Sequence, residues 1–432
     1  MLARKAAALL RRRPRGRSFD TMERAVPLGP EDRAILDLEG PTIAGHTCKV
    51  VVVEAGEADV DALRAEIGSR LGGVPQLTWR LGGSDHDPCS IVDSDFGLGR
   101  HVTRSAVRSP LDRAGLRVEV ARLFEQRLDR GRPLWHMDVV PMDPGFAIVW
   151  RIHHALADGT AAMKFAGELL WDEMTGPAAR PRAHRAGDDA RRRRHLAGFV
   201  ERELSRSRVS SPFDGRIGRR RQVAFAQVEL GPLHDGAKAA CGATVNDAVL
   251  AVVAGALRRW LAAHHGSLGD VRVKVPVSLH QADDEAGNRD SFFCLLLPLG
   301  EPDPAERLRA IKAETILRKA EHDAEAMDGL LQDLGRISPR LRAFANRIQA
   351  SPRSFAFNVS NVPGPGAPVS ILGSPVTSVH SIAELAERHA LRIAVVSVGG
   401  RLYFGFCSDP EIFGDVQAMA DGVEAEAALL GA

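Results

Sequence analysis

The sequence has few of the features that mark secreted and membrane-spanning proteins. Its five cysteines are scattered along 432 residues and never form a C-x-x-C pair, which argues against both a disulfide framework and a zinc cluster. The most apolar stretch, residues 245–263, is interrupted by Asn246, Asp247, Arg258 and Arg259, so no apolar run of about 18 residues or more is present. We therefore expect a protein of a reducing cytosol without a membrane span.

An excess of charge of either sign is also missing. The formal net charge is +2, from 57 basic and 55 acidic residues, so composition predicts no nucleic-acid partner. Lysine is scarce, since only 7 of the 57 basic residues are lysine. Hydrophobic residues make up 44% of the chain and charged residues 26%, as in ordinary globular proteins. A chain of this length is expected to form two domains, each with its own core.

Two segments are rich in arginine. Residues 1–25 combine arginine with small apolar residues but lack the apolar stretch of a secretory signal. They are expected to form either a disordered basic tail or a short helix on an anionic membrane surface. Residues 176–221 contain 14 Arg and 5 acidic residues, so we expect a linker or a solvated helix, which can also contact lipid phosphates.

The rest of the chain alternates between strand and helix patterns, as α/β domains do. In residues 26–175, the patterns predict strands at 48–56 and 146–154 and helices at 60–71, 116–131 and 160–174. In residues 222–432, they predict strands at 222–230, 271–279, 291–299, 354–362, 391–399 and 401–409, and helices at 244–264, across 304–349 and at 413–430. We therefore divide the chain into a tail (1–25), an N-terminal half (26–175), a linker (176–221) and a C-terminal half (222–432).

The stretch WRIHHALADG, residues 150–159, places two adjacent histidines at the end of a predicted strand. Successive side chains of a strand point to opposite faces, so His154 shares a face with Ile152, and His153 shares the other with Arg151. The two imidazoles therefore do not converge easily on one metal or one substrate, and no third ligand motif lies nearby.

A single imidazole at the end of a strand suits a general base, because it is mostly neutral at pH 7 and can take a proton from a hydroxyl or a thiol. Gly159 permits a tight turn, and Asp158 can pair with an arginine or orient a histidine. No G-x-S-x-G elbow occurs, which favours direct proton abstraction over a serine nucleophile. The alternative is that the stretch simply closes a strand, with both histidines satisfied by backbone groups.

Residues 153–159 resemble the H-H-x-x-x-D-G signature of the CoA-dependent acyltransferase superfamily, which includes chloramphenicol acetyltransferase, carnitine acyltransferases and peptide-synthetase condensation domains. Further stretches resemble, in order, motifs of the bacterial wax ester synthase/diacylglycerol acyltransferase family, over about residues 26–430. They are LGPEDRAILDLEGPTIAGH (residues 28–46), the P-L-W motif (Pro133, Leu134, Trp135), the N-D helix (Asn246, Asp247), the P-V-S strand VKVPVSL, and the N-V-P-G-P turn (Asn358 to Pro365).

This resemblance implies an α/β fold of two chloramphenicol acetyltransferase-like domains with mixed sheets and the active site between them. It also implies that His154 is the general base and that Asp158 holds the geometry of the site. His153 and Asp158 fit the H-x-x-x-x-D spacing of glycerolipid acyltransferases as well, which would make His153 the base. That family lacks the P-L-W, N-D and N-V-P-G-P motifs, so we favour His154.

The supporting motifs have structural interpretations beside the functional ones. Thr244 and Asp247 form a T-x-x-D capping pattern, so Asn246 and Asp247 are helix-terminus residues, catalytic residues or both. The P-L-W motif is most simply a packed turn that enters a strand. In the N-V-P-G-P turn, Pro363 and Gly364 make the chain rigid, while Ser360 or Asn361 is a candidate donor to the thioester oxyanion or to CoA.

By the resemblance, the expected activity is direct transfer of a long-chain acyl group from acyl-CoA to diacylglycerol, a long-chain alcohol, or both. CoA leaves as part of a substrate, so we expect no cofactor and no metal. Because the substrates are poorly soluble, we expect a cytoplasmic protein in peripheral contact with the membrane or lipid droplets, through its Arg-rich segments. The alternatives are a condensation-type enzyme with a carrier-bound acyl donor and a non-catalytic protein that binds acyl-CoA or lipid.

Overall fold

The computed structural model describes residues 25–54, 56, 59–84, 87–173, 213–266, 268, 271–278, 290–320 and 354–432. The predicted tail, most of the predicted linker and the part of the predicted helical region from 321 to 349 lie outside the described residues.

The described residues form eight helices and fifteen strands besides three short 3-10 helices. The helices are α1 (Pro30–Leu38), α2 (Val60–Arg70), α3 (Arg113–Phe124), α4 (Gly159–Leu169), α5 (Leu230–Cys241), α6 (Val245–His264), α7 (Pro304–Ala320) and α8 (Val416–Leu430). The strands are β1 (Val26–Pro27), β2 (His46–Val53), β3 (Trp79–Ser84), β4 (Asp87–Val92), β5 (Val102–Arg104), β6 (Trp135–Pro141), β7 (Phe146–His153), β8 (Gln222–Glu229), β9 (Val271–Ser278), β10 (Asp290–Leu297), β11 (Phe357–Pro363), β12 (Ser370–Ile371), β13 (Ser374–Ile382), β14 (Leu391–Val398) and β15 (Arg401–Ser408).

Two mixed sheets of six strands each form the framework. The first sheet has the order β12-β13-β2-β7-β6-β5, and its neighbours are antiparallel except for β5 and β6. The second sheet has the order β10-β9-β11-β14-β15-β8, in which β11 runs parallel to both of its neighbours. A small sheet, β1-β4-β3, lies beside the first.

The C-terminal half contributes two strands to the first sheet. Strand β13 pairs with β2 from Val376↔Val53 to Ile382↔Cys48, and β12 extends the sheet beyond β13. No local sequence pattern indicates that β12 and β13 join the first sheet, because β13 and its partner β2 are more than 300 residues apart in the chain. The domain boundaries at 175 and 222 follow the order of the chain and stay a prediction.

Most elements coincide with the predicted ones, and two of the differences among the helices have local causes. The helix predicted at 116–131 ends at Phe124, because Arg151 of β7 reaches its end and donates hydrogen bonds to the carbonyls of Leu123 (3.1 Å) and Gln126 (3.0 Å). Helix α5 was not predicted, since two glycines and a proline obscure its pattern.

The described end of the predicted linker is packed in part against the C-terminal half. Phe213 is fully buried, with its ring 5.0 Å from that of Phe413 and 6.1 Å from those of Trp260 and Phe357. Residues 213–221 form no helix, and Phe213, Ile217 and Arg221 are buried while Arg216, Arg219 and Arg220 are exposed. The role of residues 176–221 as a linker stays a prediction.

Within the part of the chain that the structure describes, no helix by itself has the length and apolar character to cross a bilayer. The pair α5 and α6 meets both criteria together, by length and composition only, across a bend of 95°.

Candidate active site

The two adjacent histidines lie where β7 ends. His153 is the last residue of the strand, and His154 begins the turn that leads into α4. Along β7, Trp150 and Ile152 belong to the apolar cluster shared with α4, while Val149 belongs to the cluster shared with α3. The predicted alternation of faces is therefore confirmed for the strand that carries the histidines.

His153 is fully buried, and both of its ring nitrogens are engaged. Its Nε2 lies 2.7 Å from Oε1 of Glu39, and its Nδ1 lies 3.1 Å from the backbone nitrogen of Ala155. An amide N–H only donates and an ionised carboxylate only accepts, so Nε2 carries the proton and Nδ1 accepts. This assignment leaves His153 without a nitrogen for proton transfer.

The carboxylate of Glu39 is held ionised in this arrangement. Burial raises its pKa, but the hydrogen bond from His153, together with the charge and hydrogen bond of Arg130, outweighs burial and lowers the pKa below its usual value. Arg130 contributes a hydrogen bond from Nε to Glu39 Oε2 at 2.9 Å. Glu39 belongs to the opening motif, but its pairing with His153 joins residues 114 positions apart, which sequence reasoning did not find.

His154 has the properties of a neutral base. Its ring is half-buried and its Nδ1 is enclosed. Burial, followed by the positive charge of Arg392, lowers the pKa of His154 to about 4, although the negative charge of Asp158 opposes the shift. The imidazole is therefore neutral at pH 7 and available to accept a proton.

Gly45 holds the backbone of the turn at residues 154–156, the histidine turn. Its carbonyl accepts the N–H of His154 at 2.9 Å. Its φ of +74° is left-handed, and a Cβ at this position would lie 2.5 Å from His153 Nε2 and 2.7 Å from Glu39 Cγ. Only glycine satisfies both the dihedral angle and the close approach.

Asp158 and Gly159 form the start of α4. Asp158 is buried and is the N-cap residue, with Oδ1 accepting the N–H of Ala161 at 2.7 Å. Gly159 was expected to permit a tight turn, but its backbone is not left-handed. Its small size matters instead, because a Cβ would lie 3.0 Å from Cγ2 of Val362 on β11.

The N-V-P-G-P segment thus lies against the histidine turn. Beyond this contact, a Cβ on Gly364 would lie 2.6 Å from the carbonyl oxygen of Ser397 and 3.2 Å from Met163 Cε of α4. Gly364 is buried, whereas Pro363 is exposed. The rigid turn therefore joins α4 to the end of the second sheet.

Ser360 and Asn361 lie on opposite faces of strand β11. Val359 is packed in the helix-covered core of the second sheet, while Val362 packs on the cluster around α4. By the alternation of a strand, Ser360 shares the face of Val362 and Asn361 shares the face of Val359. Of the two predicted donors, Ser360 is the one on the face toward the histidine turn.

One edge of β11 is open beside this face. The strand pairs with β14 from Asn358 to Pro363, but it pairs with β9 only at Phe357 and Asn358. Beyond Asn358, the β9 side of β11 has no paired strand among the described residues. An edge of this kind is a surface with which an extended ligand can pair.

The P-L-W motif packs beneath His153. The carbonyl of Leu134 accepts the N–H of His153 at 2.9 Å. Trp135 is buried, and its Nε1 donates to the carbonyl of Leu77 at 2.7 Å. Pro133 is buried too, and its carbonyl accepts the N–H of Trp135 at 2.8 Å. These contacts are those of a packed turn that supports the strand of the histidines.

The N-D motif lies apart from this site. Asp247 completes a capping box, with Oδ2 accepting from the backbone N–H (2.9 Å) and Oγ1 (2.7 Å) of Thr244, while Oδ1 accepts from Thr315 at 2.7 Å. Asn246 is half-buried in the same first turn. Helix α6 packs on α5, α7, α8 and β10, so the structure places Asn246 and Asp247 in the helical layer of the second sheet.

Lys49 is a buried charge that sequence reasoning missed. Its Nζ donates to Ser381 Oγ of β13 at 2.8 Å, and the residue is 2% exposed. Burial lowers the pKa of Lys49 to about 8, against the opposing influence of Cys48 and Asp158.

No group of three or more His, Cys, Asp or Glu side chains that could hold a metal occurs among the described residues.

Two family models match the chain. The wax ester synthase/diacylglycerol acyltransferase catalytic domain matches residues 28–208, and the C-terminal domain of the same family matches residues 286–430. A Mycobacterium tuberculosis protein named as a diacylglycerol O-acyltransferase is 29% identical over 442 residues, covering 90% of this chain and 87% of the relative. A Mycobacterium bovis protein with the same enzyme name is 27% identical over 417 residues, covering 88% and 90%.

Solved structures share the fold. The wax ester synthase/diacylglycerol acyltransferase from Marinobacter aquaeolei VT8 aligns with a TM-score of 0.66 at 22% identity, over 94% of this chain and 98% of that chain. The first condensation domain of the CDA synthetase aligns with a TM-score of 0.63 at 18% identity, over 94% and 96%.

The mixed sheets and two-domain layout define a protein with the fold of chloramphenicol acetyltransferase-like enzymes and condensation domains, which confirms the predicted fold class. The chain belongs to the wax ester synthase/diacylglycerol acyltransferase family and is an acyltransferase, as predicted. The roles of individual residues, His154 included, stay predictions.

Proposed function

We propose that this enzyme transfers a long-chain acyl group from acyl-CoA to the hydroxyl of diacylglycerol or of a long-chain alcohol, with His154 as the general base. One observation carries the assignment of the base. His153 has both ring nitrogens committed to Glu39 and Ala155, whereas His154 is half-buried and neutral at pH 7.

In this mechanism, His154 accepts the proton of the acceptor hydroxyl while that oxygen attacks the thioester carbonyl. The C–S bond then breaks, and the CoA thiolate leaves and takes the proton from the imidazolium. A pKa of about 4 makes His154 a weak base in the free enzyme. The negative charge that develops on the thioester oxygen, together with Asp158, stabilises the imidazolium as it forms.

Ser360 is the proposed donor to the developing oxyanion. Its face of β11 is the face of Val362, which contacts Gly159, so its hydroxyl lies on the side of the histidine turn. The open edge of β11 is the proposed seat of the amide-containing arm of CoA, because an extended chain can pair with free strand groups.

The identity of the acceptor substrate and the location of the enzyme in the cell are also proposals. The relatives named as diacylglycerol O-acyltransferases support diacylglycerol, and the family name also covers long-chain alcohols and wax esters. Reaction by direct attack needs neither a metal nor a cofactor. Because both substrates are lipids, we place the enzyme in the cytoplasm in peripheral contact with a membrane or lipid droplet.

The test is CoA release from palmitoyl-CoA by the purified protein, with diacylglycerol and hexadecanol offered separately. His154→Ala should lower the rate by about 10² to 10⁴, the usual contribution of a general base. His153→Ala should retain more activity, because it removes only support. His234→Ala is the matched control, since that histidine is exposed and bonded to Asp235.

A condensation-type reaction with a carrier-bound acyl donor is the second candidate, favoured by the likeness in fold to condensation domains. An acylated carrier protein offered in the same assay tests it. If wild type releases no CoA from palmitoyl-CoA but turns over the carrier-bound donor, the second candidate replaces the first. If it binds acyl-CoA and turns over neither donor, a non-catalytic binding role remains.

A further inference from the structure

Three segments that are far apart in sequence meet at a buried ion pair near the histidine turn. Arg221, at the end of the predicted linker, donates from Nε to Glu384 Oε1 at 3.0 Å, and its side chain is 2% exposed. The same guanidinium donates to the carbonyls of Gly218 (2.8 Å) and Thr42. The other oxygen of Glu384 accepts the backbone N–H of Ala44 at 2.8 Å.

The loop held by this pair leads directly into the active site. Ala44 precedes Gly45, whose carbonyl accepts the N–H of His154 at 2.9 Å. Gly45 also packs closely against His153, since the space a Cβ would fill there lies 2.5 Å from His153 Nε2. A shift of the loop at Thr42 and Ala44 is therefore passed to the backbone of His154.

We propose that Arg221 and Glu384 are positioning residues of the acyltransferase reaction, through the loop of residues 42–45 that they hold against the backbone of His154. The pair brings together the end of the linker and the segment that follows β13, so the C-terminal half sets the position of a base that the N-terminal half carries. The inference rests on the proposed role of His154.

Conservative variants are the suitable probes, because a buried charge left without its partner destabilises the fold. Glu384→Gln keeps the shape of the side chain but replaces one acceptor oxygen with an amide NH2, which is a donor. That donor then faces either the N–H of Ala44 or the guanidinium of Arg221. Arg221→Lys keeps the charge but loses the planar fork. A cavity of about 20 Å³ lined by Thr42, Arg221 and Glu384 has room for a water, which can satisfy a displaced group.

The experiment compares steady-state kinetics of CoA release for Glu384→Gln and Arg221→Lys with those of wild type. A misplaced base lowers kcat, by about 10- to 100-fold for a shift near 1 Å, while the KM for palmitoyl-CoA stays within about twofold. Glu387→Gln and Arg216→Lys are the matched controls, since they change an exposed ion pair of the same kind and should leave kcat as in wild type.

Hydrogen exchange supplies a readout that does not depend on turnover. In Glu384→Gln, peptides covering residues 40–47 and 150–157 should exchange faster, while peptides from α6 should not change. Unchanged kcat and exchange in both variants would overturn the inference, and so would uniformly faster exchange throughout the protein, which indicates general destabilisation. If Arg221→Lys does not fold, Glu384→Gln decides alone.

The same data keep the inference separate from the proposed function. If wild type is active and His154→Ala is inactive, normal kcat in the two variants refutes only the positioning role. If wild type releases no CoA, or His154→Ala remains fully active, the proposed function itself fails.

Discussion

Glu39→Ala is the most informative single change near the active site. It removes the acceptor of the 2.7 Å hydrogen bond from His153 Nε2, and the Glu39 side chain is only 8% exposed. A buried hydrogen bond to a charged group contributes about 1.5 to 3 kcal/mol. Without the carboxylate, the N–H of Ala155 at Nδ1 is the one remaining contact of the ring among the described residues that favours the proton on Nε2, and Nε2 loses its acceptor.

The expected effect on catalysis follows from the tautomer. If the proton moves to Nδ1, it faces the N–H of Ala155, and the turn that carries His154 must shift. A misplaced His154 that raises the activation free energy by about 1.4 to 2.8 kcal/mol lowers kcat 10- to 100-fold. Glu39→Gln keeps one oxygen for His153, and Arg130, 46% exposed, can turn toward water, so this variant should retain most of the activity.

The assay is the initial rate of CoA release from palmitoyl-CoA with saturating acceptor, beside thermal unfolding. Asp37→Asn serves as the control, because this exposed carboxylate lies two residues away on α1. Full activity in Glu39→Ala would refute the reasoning. Equal and severe losses in Glu39→Gln and Glu39→Ala would show that charge, rather than the hydrogen bond to His153, is what the site requires.

Three further predictions concern pH, packing and a buried charge. Because the pKa of His154 is lowered to about 4, kcat/KM should stay level from pH 8 to about 5 and fall with a midpoint near pH 4 in initial-rate assays; a midpoint near 6.5 would contradict the burial of the ring. Gly159→Ala should lower kcat about tenfold by pressing on Cγ2 of Val362, and the added change Val362→Ala should restore it; failure of this rescue would locate the defect elsewhere. Lys49→Met should raise the free energy of unfolding at pH 7 by up to about 3 kcal/mol, since the pKa of Lys49 falls from 10.5 to about 8 on burial. The advantage of Lys49→Met in free energy of unfolding should shrink between pH 8 and 10.5, because the folded wild type has already released the Lys49 proton there while the unfolded chain releases it only near pH 10.5. Denaturant titrations at pH 7 and 10 would test both claims.

The two histidines show how much of the site the local sequence pattern predicts. The period-two alternation of residues 146–152 is confirmed by the strand and its two apolar clusters, and His153 is the last residue of the strand. His154 already lies in the turn, so the opposite placement of the two rings stays a prediction. The alternation did not reveal that both ring nitrogens of His153 are engaged. That depends on Ala155 and on Glu39, which follows α1 and meets His153 from 114 positions away in the chain.

Other features escaped the sequence because their causes are non-local. Strand β13 has a pattern no stronger than its neighbours, and only pairing with β2 assigns it to the first sheet. Gly159 was assigned to a turn from its residue type, whereas its function is close packing against β11. Lys49 lies among valines that predict a buried strand, and nothing local indicates a charge inside it.

The adjacency of the two histidines has a mechanical consequence. Because they are neighbours, fixing the His153 ring between Glu39 and the N–H of Ala155 also restrains the peptide units on both sides of His154. The N–H of His154 is held separately by Gly45. The proposed base, His154, is thus located in part through its backbone. Its imidazole is neutral at pH 7, and its low pKa rises as the substrate's negative charge develops beside it.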